Sequence, residues 1–296
     1  MAKFVGEVNF IYRPTIIFML AYIHHQFIEE EKATLQVSDL SIQRGFGIFD
    51  FFRTRNFVPL FLEDYLDRFF NSAASLRLQP THTRDELTAI IYELIKRNNE
   101  PISGIKMILT GGYSLDGYEP AVAPNLIMLQ QKLQEPAADR FASGIKVITH
   151  EHQRELPAVK SINYLMGVWL QQKVREQQAA DVLYFKNGIV SEFPRSNLFM
   201  ITHDGKLVTP AENVLHGITR KQLLKLAAKK YTVEIRAVAI EEIKTAAEVF
   251  MTSTTKRLLP IYQIDDVVIG NGKAGPITSL LNAEFIAMEE KLLNKV

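Results

Sequence analysis

Two residues that could do chemistry lie in apolar stretches of this sequence, a lysine at position 160 and a glutamate at position 192. Lys160 lies at the junction of a loop and an apolar helical segment, within residues 159–165 (VKSINYL). Taken alone, such a position is more typical of a solvated loop charge. The chemical alternative is Schiff-base formation, because an amine that is partly removed from water is less basic and condenses with a carbonyl group.

Glu192 lies in the predicted strand after the Asn187-Gly188 hairpin turn, within residues 190–199 (VSEFPRSNLF). From the pattern alone it is an ordinary, outward-facing strand residue. If it is buried instead, its carboxylate needs a cationic partner, and a protonated pyridine nitrogen is such a partner. Both interpretations of Glu192 stay open at this point.

Three further features could bind an anion such as a phosphate group. A helix predicted to begin at residues 217–219 (GIT) would present free backbone N–H groups and the positive end of its dipole. The hydroxyl cluster at residues 252–255 (TSTT) could supply donors to the same anion or cap a helix. Arg68 lies away from the apolar positions of its predicted helix, where a guanidinium faces solvent or holds a phosphate.

The composition argues against several other kinds of function. The chain has 296 residues, of which 47% are hydrophobic and 23% charged, as in ordinary globular proteins. Its 34 Lys and Arg residues balance 33 Asp and Glu residues, so we expect small-molecule chemistry and no nucleic-acid partner. The lack of cysteine excludes disulfides, thiolate metal sites and cysteine nucleophiles, and it fits a reducing compartment such as the cytoplasm.

The only paired histidines are His24 and His25, in a predicted early strand. No third ligand follows them at a spacing typical of metal sites, so we predict no metal site and expect one histidine on each side of the strand.

The first half of the chain mixes predicted strands and helices. Residues 22–27, 46–55, 105–110 and 125–130 have the composition of strands. Residues 62–76 have apolar positions at intervals of three and four, which predicts an amphipathic helix, and a second helix is predicted over residues 84–98. The polar, proline-containing run 130–140 follows and indicates a boundary between domains.

The second half contains a predicted strand at 145–149, a helical segment at 162–178 and hairpin turns at Asn187-Gly188 and Asp204-Gly205. A helix after Gly217 and a strand at 248–253 follow. The sequence therefore predicts an α+β protein with a small domain (residues 19–133), a linker (134–140) and a large domain (141–296).

Residues 1–18 precede the first predicted strand, and we interpret them as an N-terminal extension ahead of Met19. The apolar run 8–23 is interrupted by Arg13 and Pro14 and is shorter than the roughly 20 residues that cross a bilayer. No membrane or export role is expected.

The order of these features along the chain resembles the fold-type IV, or class IV, pyridoxal-phosphate enzymes. This family includes branched-chain aminotransferases, D-amino-acid aminotransferases and aminodeoxychorismate lyases. The resemblance runs from about residue 22 to the C-terminus, and its most specific stretches are KSINYL, SEFPRSNLF and HGITR. It implies a small α/β N-terminal domain, a larger β-barrel-like C-terminal domain, pyridoxal 5'-phosphate as cofactor, and a homodimer in which a loop of the neighbouring subunit partly closes each active site.

The resemblance also implies roles for individual residues. Lys160 would form the internal Schiff base and then move a proton between the substrate Cα and the cofactor C4′, while Glu192 would hold the pyridine nitrogen protonated. Tyr164 matches the tyrosine that hydrogen-bonds the phenolic oxygen of the cofactor in branched-chain enzymes. The other implied cofactor-binding residues are Arg68, Asn197, Gly217, Ile218, Thr219, Thr254 and Thr255.

On the substrate side, the resemblance points to Phe49, Lys106 and Tyr118. Phe49 matches an aromatic wall, and Lys106 replaces an arginine of the branched-chain enzymes, which keeps the charge but loses the bidentate fork. The loop 112–118 lacks the arginine and histidine with which D-specific members bind the α-carboxylate, and Asp116 in that loop would repel one. These features argue against a D-amino-acid enzyme.

We therefore predict transfer of an amino group between an L-branched-chain-type amino acid and a 2-oxo acid. One alternative is an aminodeoxychorismate lyase that releases pyruvate and 4-aminobenzoate. The Gly117-Tyr118 pair and the spacing from Lys160 to Tyr164 resemble those lyases, although they do not normally have tyrosine at position 164. A non-enzymatic alternative is a vestigial cofactor-binding protein. The sequence does not choose among Lys106, Arg53 and Arg44 as ligand of the substrate carboxylate.

Overall fold

The computed structural model describes residues 19–133 and 136–294, which form two β-sheets covered by helices. The predicted N-terminal extension and two positions of the predicted linker, 134 and 135, lie outside the described residues. Across the described ranges, no helix combines the length and the apolar character that crossing a membrane requires.

The first sheet belongs to the N-terminal half. Its strands are β1 (Leu20–Ile23), β2 (Gln26–Glu29), β3 (Gly47–Arg55), β4 (Val58–Pro59), β5 (Ile102–Thr110) and β6 (Leu126–Lys132). They pair only in antiparallel fashion, in the order β2-β1-β6-β5-β3-β4. The helices of this half are a 3-10 turn (Glu30–Lys32), α1 (Leu40–Arg44), α2 (Leu62–Ser75) and α3 (Arg84–Asn98).

Helices α2 and α3 confirm two predictions from periodicity. The apolar positions of α2, such as Leu66 and Phe69, are fully buried in the core that the sheet shares with α3. A capping box begins α3, since the Thr83 hydroxyl accepts from the N–H of Glu86 and the Glu86 carboxylate accepts from the N–H of Thr83. Because the apolar face of α2 is buried against the sheet, the orientation of its opposite face is fixed as well.

The second sheet belongs to the C-terminal half. Its strands are β7 (Ile145–Glu151), β8 (Asp181–Lys186), β9 (Ile189–Val190), β10 (Glu192–Phe193), β11 (Ser196–Ile201), β12 (Leu207–Pro210), β13 (Val233–Arg236), β14 (Glu248–Ser253), β15 (Arg257–Ile264) and β16 (Val267–Val268). The helices are α4 (Ala138–Ser143), α5 (Leu165–Trp169), α6 (Gln171–Glu176), α7 (Ile218–Ala227), α8 (Ile240–Lys244) and α9 (Pro276–Leu293).

This second sheet curls back on itself. Its strands follow the order β13-β12-β11-β14-β15-β7-β8-β9. Because β9 pairs with β8 while β10, two residues further on, pairs with β11, the segment 189–193 joins the two sides of the sheet. The predicted barrel-like character of the C-terminal half is confirmed, and Glu192 lies on the short strand β10 of this junction.

Two predictions about local structure were wrong in detail. The predicted strand 22–27 is a hairpin, in which His24 and His25 form the turn with φ values of 50° and 61° rather than facing opposite sides of one strand. The predicted helical segment 162–178 begins only at Leu165 and is divided into α5 and α6. At the predicted boundary, β6 extends to Lys132 and α4 begins at Ala138.

A buried ionic cluster connects the two halves. Arg53 of β3 and Arg257 of β15 both donate to the carboxylate of Glu289 on α9, the latter through Nε at 2.8 Å. All three side chains are almost completely buried. Arg53 therefore contributes to the contact between the halves and does not line the cavities described below, so it is excluded as a ligand of the substrate carboxylate.

Candidate active site

A cavity of about 420 Å³ is lined by residues of both halves of the chain. It brings together most of the residues that the sequence indicated for cofactor binding, namely Arg68, Lys160, Tyr164, Glu192, Asn197, Gly217, Ile218, Thr219 and Thr254. Positions 160 and 192, which are 32 residues apart in sequence, thus face one common space. This is the geometry that a ligand contacting both side chains requires.

The Lys160 segment is held against β3 as a short added strand. The N–H of Phe49 donates to the carbonyl of Lys160 at 2.9 Å, and the N–H of Ile162 donates to the carbonyl of Gly47 at 3.0 Å. Lys160 Nζ lies 4.5 Å from the centre of the Phe49 ring. Burial, with a further contribution from the positive charge of Arg68, lowers the pKa of Lys160 to about 7.

Glu192 is buried, with an exposed fraction of 4%, so the outward-facing interpretation is excluded. Arg154 Nη1 donates to its Oε1 at 2.9 Å, and the N–H of Leu215 donates to its Oε2 at 2.8 Å. Asn197 Nδ2 donates to Oε2 at 3.3 Å and also to the carbonyl of Leu215 at 2.8 Å. Burial raises the pKa of the Glu192 carboxyl, whereas Arg154 opposes this rise and favours the ionised form.

Arg68 is held by a second buried carboxylate. Its Nε and Nη2 donate to Asp50 at 2.9 and 2.6 Å, a bidentate pair that fixes the plane of the guanidinium. Its Nη1 makes one long contact, 3.4 Å to the carbonyl of His216. The Arg68 side chain is only 10% exposed, so the solvent-facing interpretation is excluded. The pair with Asp50 sets the orientation of its guanidinium.

The N-terminus of α7 lies on the same cavity. The N–H groups of Ile218 and Thr219 belong to the first turn, where no partner exists within the helix. A Cβ atom at Gly217 would lie 2.1 Å from Asn197 Oδ1, so only glycine allows this close approach. Across the cavity, the Thr254 hydroxyl lies 2.8 Å from the Tyr65 hydroxyl. Together with Arg68, these donors form a cup for an anion.

Two buried hydroxyls on the cavity make no hydrogen bond with the described residues. They are Ser196 Oγ and Thr252 Oγ1, in side chains with exposed fractions of 6% and 1%. Buried polar atoms are rarely left without partners in native proteins. The donor set and these two hydroxyls therefore fit a ligand that combines a phosphate with further polar atoms, as pyridoxal phosphate does.

A larger cavity of about 1,810 Å³ adjoins the first. Phe49, Lys106, Ile108 and Thr255 line it, and the Phe49 and Tyr164 rings form an edge-to-face pair with centres 5.5 Å apart. Of the predicted substrate residues, Phe49 and Lys106 thus face this space. Tyr118 does not, because it is 78% exposed in the loop between β5 and β6.

Sequence reasoning missed several residues of the site. Asp50, Arg154 and Arg195 were not singled out, nor was the hydroxyl of Ser196, whereas Thr252 belongs to the hydroxyl cluster that the sequence indicated. A signal for Arg154 existed, since a buried Glu192 needs a cation and Arg154 lies in the loop that leads to Lys160. Among the residues that the structure describes, no group of three or more His, Asp or Glu side chains could hold a metal ion.

Comparison with known proteins gives a consistent result. A family model described as amino-transferase class IV matches residues 47–264. D-alanine aminotransferase of Listeria monocytogenes is 30% identical over 279 residues, covering 90% of this chain and 95% of the relative. A putative branched-chain-amino-acid aminotransferase of Methanocaldococcus jannaschii is 30% identical over 281 residues, with the same coverage.

The fold matches solved structures of branched-chain amino acid aminotransferases. The T.th. enzyme with pyridoxamine 5'-phosphate superposes with a TM-score of 0.86 at 24% identity, covering 92% of this chain and 94% of that one. The Escherichia coli enzyme superposes with a TM-score of 0.83 at 23% identity, covering 91% and 94%. Since the relatives are named for D-alanine and for branched-chain substrates alike, similarity alone favours neither substrate.

Proposed function

The chain belongs to the class IV aminotransferase family, whose enzymes use pyridoxal phosphate, and on this premise we propose that it moves an amino group between an amino acid and a 2-oxo acid. The observation that carries the proposal is that Lys160, Glu192 and an anion cup line one cavity. A vestigial binding protein would need neither a lysine of lowered basicity nor a buried carboxylate beside it.

When bound, pyridoxal phosphate supplies an aldehyde that condenses with amines and a ring that withdraws electrons from the adjacent carbon. Lys160 Nζ, with a pKa of about 7, is neutral in a large fraction of molecules at neutral pH and can attack a carbonyl carbon or accept a proton. Glu192, whose carboxylate accepts hydrogen bonds from Arg154, Asn197 and the N–H of Leu215, would hold a proton on the ring nitrogen.

The remaining residues of the inner cavity bind and orient the cofactor. We assign the phosphate to Arg68, the N–H groups of Ile218 and Thr219, and the Thr254 hydroxyl, all of which line the cavity. Tyr164 lines both cavities and would donate a hydrogen bond to the phenolic oxygen of the cofactor. Asn197 supports Glu192 from the side and keeps α7 close to β11.

For the substrate we propose an amino acid of the L-branched-chain type. Apolar side chains on the larger cavity, including Phe49, Phe51, Ile108 and Ile162, offer a surface for an aliphatic group. A second candidate is a D-amino acid, favoured by the relatives that are named D-alanine aminotransferase. Release of pyruvate from aminodeoxychorismate is the lyase alternative.

We also propose a homodimer. Large apolar side chains are exposed in the loop between β5 and β6, where Leu115 and Val122 are fully accessible, and on α5, where Val168 and Trp169 are about two thirds exposed. Such patches are typical of protein interfaces. Tyr118 lies in the same loop, so a partner subunit could receive it. Light scattering at micromolar concentration tests this proposal, and a monomer would contradict it.

The proposed reaction is tested by mixing the holoprotein with L- and D-amino acids and aminodeoxychorismate, one at a time. A transaminase substrate bleaches the visible absorbance of the cofactor without added keto acid, and a 2-oxo acid restores it. We expect L-leucine or L-isoleucine to do so. Bleaching by D-alanine alone would shift the proposal to the second candidate, and pyruvate release from aminodeoxychorismate would support the lyase.

The lowered pKa of Lys160 predicts how cofactor uptake depends on pH. Only the neutral amine attacks an aldehyde, so the rate constant for reconstitution of the apoprotein should rise with pH and level off above about pH 7. An ordinary lysine would give a rise up to a pH of about 10. Stopped-flow absorbance measures the rate, with Nα-acetyl-lysine amide as the unperturbed control. Parallel profiles for protein and control would contradict the assigned environment.

A further inference from the structure

We propose that Arg195 binds the α-carboxylate of the substrate, an inference that rests on the proposed transaminase function. Arg195 lies in the two-residue turn between β10 and β11, three positions after Glu192. The turn is anchored because Pro194 packs closely against Gly167. A Cβ atom added at Gly167 would lie only 3.0 Å from the Pro194 ring. The backbone is therefore fixed, while the guanidinium remains accessible at the cavity.

Arg195 lies where the two cavities meet. The residues that line both of them are Lys160, Tyr164, Arg195, Ser253 and Thr254. A substrate must bring its Cα within reach of Lys160 Nζ, and its α-carboxylate is one bond from that carbon. The carboxylate therefore lies among these shared residues, and Arg195 is the one cation among them besides Lys160 itself.

The Arg195 guanidinium makes no hydrogen bond or ion pair with the described residues, in contrast to the other arginines of the inner cavity. Arg68 is bonded to Asp50, and Arg154 is bonded to Glu192. The described lining of the larger cavity contains no Asp or Glu that could neutralise Arg195. A guanidinium has a planar fork of donors that matches a carboxylate, and here that fork is available.

The three residues left open by the sequence are placed less well for this task. Arg53 is bonded to Glu289 away from the cavities. Arg44 donates to the carbonyl of Gln43 and lines a third cavity of about 1,090 Å³, which shares Tyr164 with the inner cavity but is not lined by Lys160. Lys106 lines only the larger cavity and not the inner one, so it lies further from the reacting carbon.

The test compares substrates that differ only in the carboxylate. Arg195→Gln and Arg195→Lys are assayed as holoproteins with the amino acid that reacts fastest in the panel and with the corresponding amine, for example L-leucine against isopentylamine or D-alanine against ethylamine. Loss of one charge-assisted contact should lower kcat/KM for the amino acid about 10- to 100-fold for Arg195→Gln, with a smaller loss for the lysine variant. The amine reaction should change less than about twofold, by the same reasoning.

Arg175→Gln is the matched control, since Arg175 is an exposed residue of α6 that lines neither of the two cavities. Equal losses for amino acid and amine in Arg195→Gln would show a structural role and overturn the inference. So would an unchanged kcat/KM for the amino acid.

A binding measurement separates this inference from the proposed reaction. Calorimetric titration of the holoprotein with isocaproate, and with the neutral isocaproamide, requires no turnover. We expect Arg195→Gln to lose about 10-fold or more in affinity for the acid and none for the amide. Equal affinities of wild type and variant for isocaproate would overturn the role of Arg195, even if transamination is established. If no amino acid reacts but isocaproate binding depends on Arg195, the proposed reaction fails and the carboxylate site stands.

Discussion

Replacing Lys160 with alanine is expected to lower turnover by about 10⁴-fold or more, because one amine serves as both nucleophile and proton carrier. The variant should still bind pyridoxal phosphate, since Arg68, the α7 N-terminus and Thr254 remain in place. Steady-state assays with the best substrate of the panel measure the first effect. Equilibrium dialysis with pyridoxal phosphate measures the second.

Lys186→Ala provides the control for this variant. Lys186 lies at the end of β8, is about half exposed and pairs with Glu151 on the surface. Its removal should leave turnover within about twofold of wild type, as is usual for surface substitutions. Substantial steady-state activity in Lys160→Ala would show that another group carries the chemistry, and the assignment of Lys160 would have to be abandoned.

Replacing Glu192 with glutamine is expected to slow removal of the substrate Cα proton about 10²- to 10³-fold, a range typical for loss of a preorganised electrostatic contact. The amide cannot hold a proton on the ring nitrogen, and it leaves Arg154 without its carboxylate partner. The single-turnover rate of bleaching by the amino substrate reports this step separately from product release.

Glu151→Gln is the matched control, because Glu151 is a half-exposed carboxylate at the end of β7. We expect no change in its single-turnover rate. An unchanged rate in Glu192→Gln, with the cofactor fully bound, would count against electrostatic control of the ring nitrogen by Glu192. A lost cofactor would instead indicate that the carboxylate serves mainly to bind it.

Local patterns predicted much of the fold. Helix α3 occupies the predicted residues because its apolar period and its Thr83 cap act within a few residues of each other. The prediction for His24 and His25 was wrong, because the tight turn that they form contains no glycine to mark it. The hairpin is held by pairing of β1 with β2 and, further along the chain, of β1 with β6. Such long-range pairing leaves no trace in a local pattern.

The residues of the candidate site likewise fall into those that a local sequence pattern predicts and those that it does not. Lys160, Glu192 and residues 217–219 occur in stretches specific enough to be recognised in order along the chain. Arg154 and Asp50 were missed because each matters only through a distant partner, Glu192 and Arg68 respectively. Arg195 was missed because its lack of a partner among the described residues and its place between two cavities are properties of the folded chain.

The most direct test of the central claim is to reduce the holoprotein with borohydride, digest it and locate the pyridoxyl group by mass spectrometry. We expect the group on the peptide that contains Lys160, in a stoichiometry close to one per chain, and no labelling when Lys160 is replaced by alanine. Labelling of a different lysine, or quantitative cofactor binding without any covalent product, would contradict the assignment of Lys160 as the residue that joins the cofactor.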